Sequence, residues 1–509
     1  MAFATPDKTQ RNGQNTRGQP NELGQELALE RARTQFLLRL IARHAPAPLA
    51  EELSHSAPVS GRLRSGRELI RKTVIQMGIS RFADALHHRW RKAMSRWQRA
   101  QNARTRTLEK SLRVQARPIH GMRHNLFVDL TNVAQADLRT GIERVVRGIS
   151  FSLLTNPPPE WSCSLVAGKS ESGEYYYADR FTARMLDLPI EVDLELPVDI
   201  QPGDIFLGLD WTPNVLPHTR DWIARAKRRQ AKIYFVIFDL LPVLRPDFFP
   251  KGMDIPAREW LQCVIQSADG VLCISRSVAE DLRGWLTSCG FVRREPLRVG
   301  FFHQGADLRS ARASLGLPDQ FTRLRSWLEQ TPTFLMVGTV EPRKGHRLAL
   351  GAMELLWTAG THVNLLVVGK PGWNEDLNSW LRAAETQHSD RLKWFESASD
   401  ELLDELYQRS RALLAASEAE GFGLPLVEAA SHNLPVIARD IPVFREVGAD
   451  YPSYFGCNDP TTLARFLTEW LTREHNCPDL SARPISWQQS CRQLLGVLLE
   501  DKWLYVWPS

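Results

Sequence analysis

From residue 124 onward the chain repeats one pattern: a short apolar run, a turn, then an amphipathic stretch of helical length. The runs are Leu126–Leu130, Ile205–Leu209, Ile233–Leu240, Gly270–Ile274, Thr333–Val337, Asn364–Val368, Leu413–Ala416 and Pro435–Ala438. Runs apolar throughout read as strands buried on both faces, and strands alternating with helices give parallel sheets covered on both sides. The first four runs and the last four are separated by Phe301–Leu324, a stretch of mixed polarity that holds Gly305, Gly316 and Pro318. At 509 residues the chain is too long for one core. The pattern therefore predicts two α/β halves with a boundary near Asp307.

Charge is unevenly placed. The net charge is +6, yet residues 1–120 hold 23 Lys and Arg against 9 Asp and Glu, which leaves the remainder at −8. Basicity thus belongs to an appendage, and the main body is mildly acidic. Residues 1–22 are polar and show no apolar core of a secretory signal. Asn21–His44 reads as a helix capped by Asn21, with Leu23, Leu27, Phe36, Leu37, Leu40 and Ile41 at three- and four-residue spacings. A Pro- and Ser-rich break over 45–61 precedes a second, arginine-rich helical tract, Leu63–Val114, which carries Trp90 and Trp97. Seven cysteines, odd in number and without a CxxC pair, read as buried or incidental thiols of a cytosolic protein. No apolar run approaches the roughly 20 residues that span a bilayer.

Chemistry concentrates in the second half. Glu420 and Glu428 bracket a glycine-rich turn in EAEGFGLPLVEAA. The preceding Arg411–Ala416 reads as a buried strand, and a helix is expected from Pro425, where proline in the first turn loses no hydrogen bond. Both carboxylates are thereby expected to reach one crevice at the carboxyl end of a parallel sheet, beside a helix start that favours anions. Taken alone, the pair could equally be solvated charges near a helix N-terminus. In FLMVGTVEPRKGHRLAL a strand ends at Val337, Gly338 turns, and Arg343 and Lys344 precede a helix. Two cations so placed suit a phosphate or diphosphate, although an isolated Arg-Lys is more often a solvated loop pair. LLVVGKPGW offers Gly369 and Gly372 for close approach of a ligand, with Trp373 beside it either as ligand contact or as packing.

GTVEPRKG, VVGKPGW, EGFGLPLVEAASHNLPVIARDIPVFREV and SWQQSCRQLL together resemble the carboxy-terminal domain of retaining glycosyltransferases of family 4. FVDLTNVAQADLRTGIERVVRGI resembles the opening of a subset of that family, often bacterial polysaccharide mannosyl- or rhamnosyltransferases. The resemblance covers about Asn125 to Leu499 and is strongest over Phe334–Gly448. It implies an α/β GT-B fold: two Rossmann-like, doubly wound domains facing a cleft, here with a basic α-helical N-terminal extension. The implied limits are 1–120 for the extension, 121–306 for the acceptor domain and 307–480 for the nucleotide-sugar domain. Residues 481–509 would hold a closing helix that returns to the first domain.

The resemblance also implies roles. Arg343 and Lys344 would neutralise the diphosphate of a nucleotide-sugar, and Glu420 would hold the donor sugar and face its anomeric carbon. Glu428 would accept from the ribose hydroxyls. Gly338, Thr339, Gly369, Lys370, Phe422, Gly423 and Leu424 would complete the donor site. Gly141 and Asp239 would line the acceptor side of the cleft. Two departures stand out: Phe238 occupies a position where many relatives carry histidine, and Thr339 one where some carry a basic residue. Ser275 reads as a helix cap and His303 as a packing histidine. No cofactor is expected, and no metal, because Asp193-Leu194-Glu195 has no histidine nearby.

The expected function is transfer of a hexose, mannose or a deoxyhexose first, from a nucleotide-diphosphate sugar to a saccharide or lipid-linked acceptor. Such a step would serve cell-surface polysaccharide or lipopolysaccharide assembly in the bacterial cytoplasm. A non-catalytic scaffold of the same fold and a phosphorylase of the same architecture are the alternatives. Arginines interleaved with tryptophans over 60–117 suit peripheral contact with the inner membrane, or a docking helix. Nucleic acid is not an expected partner, because no base-reading motif accompanies the charge.

Overall fold

The computed structural model describes residues 19–44, 124–135, 141–190, 192, 195–306, 316–318, 321–473 and 484–508. The expected tract Leu63–Val114, the break before it, Asp193, Leu194, Asp307 and Cys477 lie outside the described residues.

The chain divides into two compact units. One comprises residues 1–123, 154–160 and 179–194. Its helix α1 (Gln19–His44) starts two residues ahead of the expected cap. Ala32 and Phe36 on α1 are buried. Arg33 Nε donates to the Leu186 carbonyl at 2.7 Å, and Arg43 pairs with Asp179 at 3.1 Å.

The other unit, residues 124–153, 161–178 and 195–509, contains two sheets. The first is built from β1 (His124–Asp129), β2 (Trp161–Lys169), β3 (Glu174–Tyr177), β4 (Ile205–Gly208), β5 (Lys232–Ile237), β6 (Gly270–Cys273) and β7 (Leu297–Phe301). The second is built from β8 (Thr333–Val337), β9 (Asn364–Val368), β10 (Leu392–Phe395), β11 (Ala412–Ala415), β12 (Val436–Arg439) and β13 (Ser453–Phe455). A last strand, β14 (Tyr505–Trp507), returns to the first sheet and pairs antiparallel with β7. Every pairing in the second sheet is parallel. In the first, only β2–β3 and β7–β14 are antiparallel.

The strand orders are β3-β2-β1-β4-β5-β6-β7-β14 and β10-β9-β8-β11-β12-β13. Each reverses direction once, between β1 and β4 and between β8 and β11. Connections leave such a point toward opposite faces, and a crevice opens at the carboxyl ends of the two strands. Full burial of β4, β6, β9 and β12 reflects helices on both faces.

All eight predicted runs are strands. The run Ile233–Leu240 is overlong, because Asp239 Oδ1 accepts from Leu241 N at 2.9 Å and starts a helical turn over Leu241–Leu244. Six strands lie outside the predicted runs. β2 is interrupted by Ser162 and Ser164, which are buried; Ser162 Oγ donates to Asn125 Oδ1 at 2.6 Å. In β10 burial alternates, and in β7 it is interrupted by the exposed Arg298.

The helices that matter for the site are α2 (Gly141–Thr155), α3 (Arg276–Ser288), α4 (His346–Thr358), α5 (Asp400–Arg409), α6 (Leu424–Ser431), α7 (Pro442–Gly448) and α8 (Trp487–Leu499). A capping box of Ser486 and Gln489 starts α8. Helix α8 packs on the first sheet: a Cβ on Gly148 would lie 2.4 Å from the Trp487 ring, and one on Gly300 2.5 Å from Val497. Among the described residues no helix is long and apolar enough to cross a membrane.

Candidate functional site

The β8 and β11 ends frame the site. After β8, Gly338 turns at φ 138° and the chain enters a short 3₁₀ turn, Pro342–Lys344, ahead of α4. After β11, the segment Ser417–Gly423 leads into α6. The two connections are tied together by Glu418 N, which donates to the Arg343 carbonyl at 2.8 Å.

Glu420 lies between both cations. Arg343 Nη1 meets Glu420 Oε2 at 2.8 Å and Lys344 Nζ meets Oε1 at 2.5 Å. Arg343 also reaches the Ala419 carbonyl at 3.2 Å and Glu341 Oε2 at 3.0 Å. Burial pushes the Glu420 carboxyl up, but Lys344 and Arg343 outweigh it and hold it at about 2. Burial also works against the Arg343 charge, and Glu420, Glu341 and Asp239 more than restore it. This is a charged group held ready with little water around it, where electrostatic interactions are strongest. Lys344, Glu420 and Gly423 line one cavity together with the buried His346. Burial, then Lys344, lowers the His346 pKa to about 4, so its ring is neutral near pH 7.

The other expected donor residues gather at the same sheet end. Gly369 follows β9, and a Cβ there would lie 1.9 Å from the Gly338 carbonyl oxygen. Thr339 and Lys370 flank this contact, and Val340 N donates to the Lys370 carbonyl at 2.9 Å. Gly423 adopts φ 96° as the residue before α6, a conformation costly for other residues. Leu424 opens α6, and Phe422 is buried with its ring 5.6 Å from that of His303. From the first half, a Cβ on Gly421 would meet the Phe238 carbonyl oxygen at 2.3 Å and Asp239 Cβ at 3.2 Å. Burial raises the Asp239 pKa, and Arg343 partly offsets it. Gly141 starts α2, with Leu424 Cδ1 4.0 Å from where its Cβ would be.

Glu428 does not join Glu420, Arg343 and Lys344. Its Oε1 pairs with Arg144 Nη1, and its Oε2 accepts from Tyr407 OH at 2.7 Å. Trp373 donates to the Phe248 carbonyl at 3.2 Å and is 39 % exposed. Ser275 is the expected cap, accepting from Val278 N, and its hydroxyl also donates to the Gly421 carbonyl at 2.8 Å. His303 does more than pack, because its Nε2 lies 2.8 Å from Glu446 Oε1. Glu446, on α7, also accepts from the N–H groups of Arg276 and Ser277 at the start of α3, at 2.7 and 2.8 Å.

Sequence reasoning missed a buried acidic pair at the other reversal point. Asp129 ends β1 and accepts from Thr131 N at 3.0 Å, while Asp210 follows β4 and accepts from Val133 N at 3.0 Å. Burial raises both, Asp129 to about 7 and Asp210 to about 6. The folded protein therefore keeps a proton on Asp129 that the unfolded chain releases between about pH 3.8 and 7. Stability from this group falls as pH rises through that window. Asp129→Asn is expected to lose less melting temperature between pH 5 and pH 8 than the unaltered protein; parallel profiles would remove Asp129 as the cause. Among the described residues no group of three or more His, Cys, Asp or Glu could hold a metal ion.

Residues 323–486 match the family model of the glycosyl transferases group 1. The chain is 40% identical over 376 residues to the serotype-specific mannosyltransferase WbdA of Escherichia coli, covering 73% of this chain and 44% of that protein. It is 30% identical over 131 residues to the O-antigen chain mannosyltransferase RfbU of Salmonella typhimurium, covering 26% of this chain and 36% of that one. The chain thus spans less than half the length of these curated relatives. Among solved structures it is similar to HepE of Anabaena in complex with UDP and glucose, with TM-score 0.52 and 16% identity over 74% of this chain and 98% of that one. Sucrose-phosphate synthase of Thermosynechococcus elongatus gives TM-score 0.52 and 15% identity over 74% and 99%. These likenesses show the fold, GT-B.

Proposed function

We propose that this chain, whose residues 323–486 match the glycosyl transferases group 1 model and whose fold is GT-B, is a retaining hexosyltransferase. It would use a nucleotide-diphosphate sugar, mannose or a deoxyhexose first, and a saccharide acceptor in cell-surface polysaccharide or lipopolysaccharide assembly. The names of WbdA and RfbU support mannose and the O-antigen context. The observation that carries the reading is Glu420 held by Arg343 and Lys344 where the second sheet reverses.

The chemistry follows from those charges. A departing nucleoside diphosphate develops negative charge on its bridging oxygen. Arg343 and Lys344 stabilise that charge, and the positive end of the α6 dipole adds to it. Glu420 holds both cations in place before the donor arrives, and its carboxylate is positioned to accept from sugar hydroxyls. The fixed cations supply the leaving-group stabilisation, and the proposal includes no metal or other cofactor. Gly141 and Asp239 on the first half would face the acceptor. Residues 60–117 would touch the cytoplasmic face of the inner membrane, a reading supported by their arginines and tryptophans.

Transfer or donor hydrolysis measured across GDP-, UDP- and ADP-sugars tests the proposal. One donor is expected to turn over, and Glu420→Ala to reduce that rate at least about 10²-fold. Equal rates in both proteins would remove Glu420 from the mechanism. Nucleotide-sugar binding without turnover would favour the scaffold alternative.

A further inference from the structure

Glu428 is closed off on two sides. Tyr407 holds Oε2 from within the second half and is itself fully buried. Arg144 holds Oε1 and comes from α2, which follows β1 of the first sheet in the chain. The Glu428 side chain is 2% exposed and that of Arg144 is 29% exposed. Arg144 is thus the more exposed of these two partners of Glu428. Arg144 also has a second acidic neighbour, with Nη2 3.9 Å from Asp400 Oδ1 on α5. The Asp400 side chain is 29% exposed, so a guanidinium leaving Glu428 keeps a partner at the surface.

A carboxylate recognises a ribose by accepting from its vicinal hydroxyls, which requires lone pairs facing the ligand. One of the two carboxylate oxygens is engaged here by a cation from the opposite half. We propose that Arg144 is a donor-site residue that competes with the ribose of a nucleoside diphosphate for Glu428. This rests on the donor reading given above. Ribose binding replaces the Arg144–Glu428 pair, and the guanidinium shifts toward Asp400. Donor occupancy is thereby reported to α2, whose Glu143 acts electrostatically on Asp210. Competition lowers apparent donor affinity by the fraction of molecules in which Glu428 is uncovered.

Calorimetric titration of the full chain with GDP, UDP and ADP, and with their 2′,3′-dideoxy counterparts, separates the outcomes. In Arg144→Met the preferred ribonucleotide is expected to bind about 5- to 20-fold more tightly. The dideoxy nucleotide, which has no diol to compete, is expected to bind both proteins alike. Unchanged or weaker ribonucleotide binding would overturn the proposal, because Arg144 would then be idle or would be holding Glu428 ready. Equal tightening of both nucleotides would overturn it too, since the ribose would not be the competitor. Arg144→Gln, which keeps a polar side chain without the charge, carries the same expectation if the methionine variant does not fold. Failure of the unaltered protein to bind any nucleotide would end the donor reading itself and this proposal with it.

Discussion

Lys344→Met is expected to lower kcat/KM for the nucleotide-sugar donor about 10²- to 10³-fold, the loss typical of removing one preorganised charge stabiliser. The side chain is 14% exposed and its ammonium lies 2.5 Å from Glu420, so its position is set before any ligand arrives. Methionine keeps an unbranched stem of similar length and removes the ammonium with its charge and donors. The variant should also be more sensitive to acid. Glu420 has a folded pKa of about 2 against 4.5 for an ordinary glutamate; burial opposes this, and Lys344 is the leading cation that overcomes it. A depressed carboxyl contributes stability that is present above the unfolded value and is lost as pH falls through the folded one. The unaltered protein therefore loses this contribution between about pH 4.5 and 2. In Lys344→Met the contribution is smaller and is lost at higher pH. Initial rates at subsaturating donor measure the first effect, and melting temperature from pH 5 down to pH 3 the second. A variant within threefold of the normal rate would show that Lys344 does not meet the leaving group.

Gly369→Ala is expected to destabilise the second half by about 1–3 kcal/mol, the usual cost of forcing an extra carbon into a packed site. The added Cβ would lie 1.9 Å from the Gly338 carbonyl oxygen and 2.4 Å from its carbon. Both are backbone atoms at the end of β8, where Gly338 N donates to the Val368 carbonyl at 2.9 Å, so neither can swing aside. Relief would part the connections after β8 and β9 and move Thr339 and Lys344. Donor turnover should fall along with the denaturation midpoint. Trp394 reports the change directly, because its Nε1 donates to the Gly369 carbonyl at 2.8 Å. Gly284→Ala on α3, where nothing lies within 4 Å of the new carbon, is the clash-free comparison and is expected to gain slightly, because alanine favours a helix interior. Equal midpoints for the two variants would contradict the packing argument.

Much of the scaffold was legible because parallel strands covered on both faces leave continuous apolar runs. Thr333–Val337 and Asn364–Val368 appear with the limits read from sequence. β2 escaped notice because Ser162 and Ser164 are buried with hydrogen-bond partners or neighbours that sequence does not display. Local grammar also placed Arg343, Lys344 and Glu420, since each sits within a few residues of a strand end. Glu428 shows where that grammar stops. Its position in the first turns of α6 was readable, but its partner Arg144 is 284 residues away. Nothing in the segment around Arg144 distinguishes it from Arg139 or Arg147. Likewise, Ser275 was recognisable as a cap from its neighbours, but its hydrogen bond to Gly421 depends on how the halves dock.

The return of α8 and β14 to the first sheet has a consequence for synthesis. Trp487, Val497 and Trp503 close against Gly148, Gly300 and Gly270, and β14 completes the edge beyond β7. These residues leave the ribosome only after the whole second sheet has emerged. The half translated earlier is thus the one finished later, with its β7 edge unpaired in the meantime. A nascent chain in that condition presents an open template for wrong pairing, and holding it apart from its neighbours is a task for chaperones.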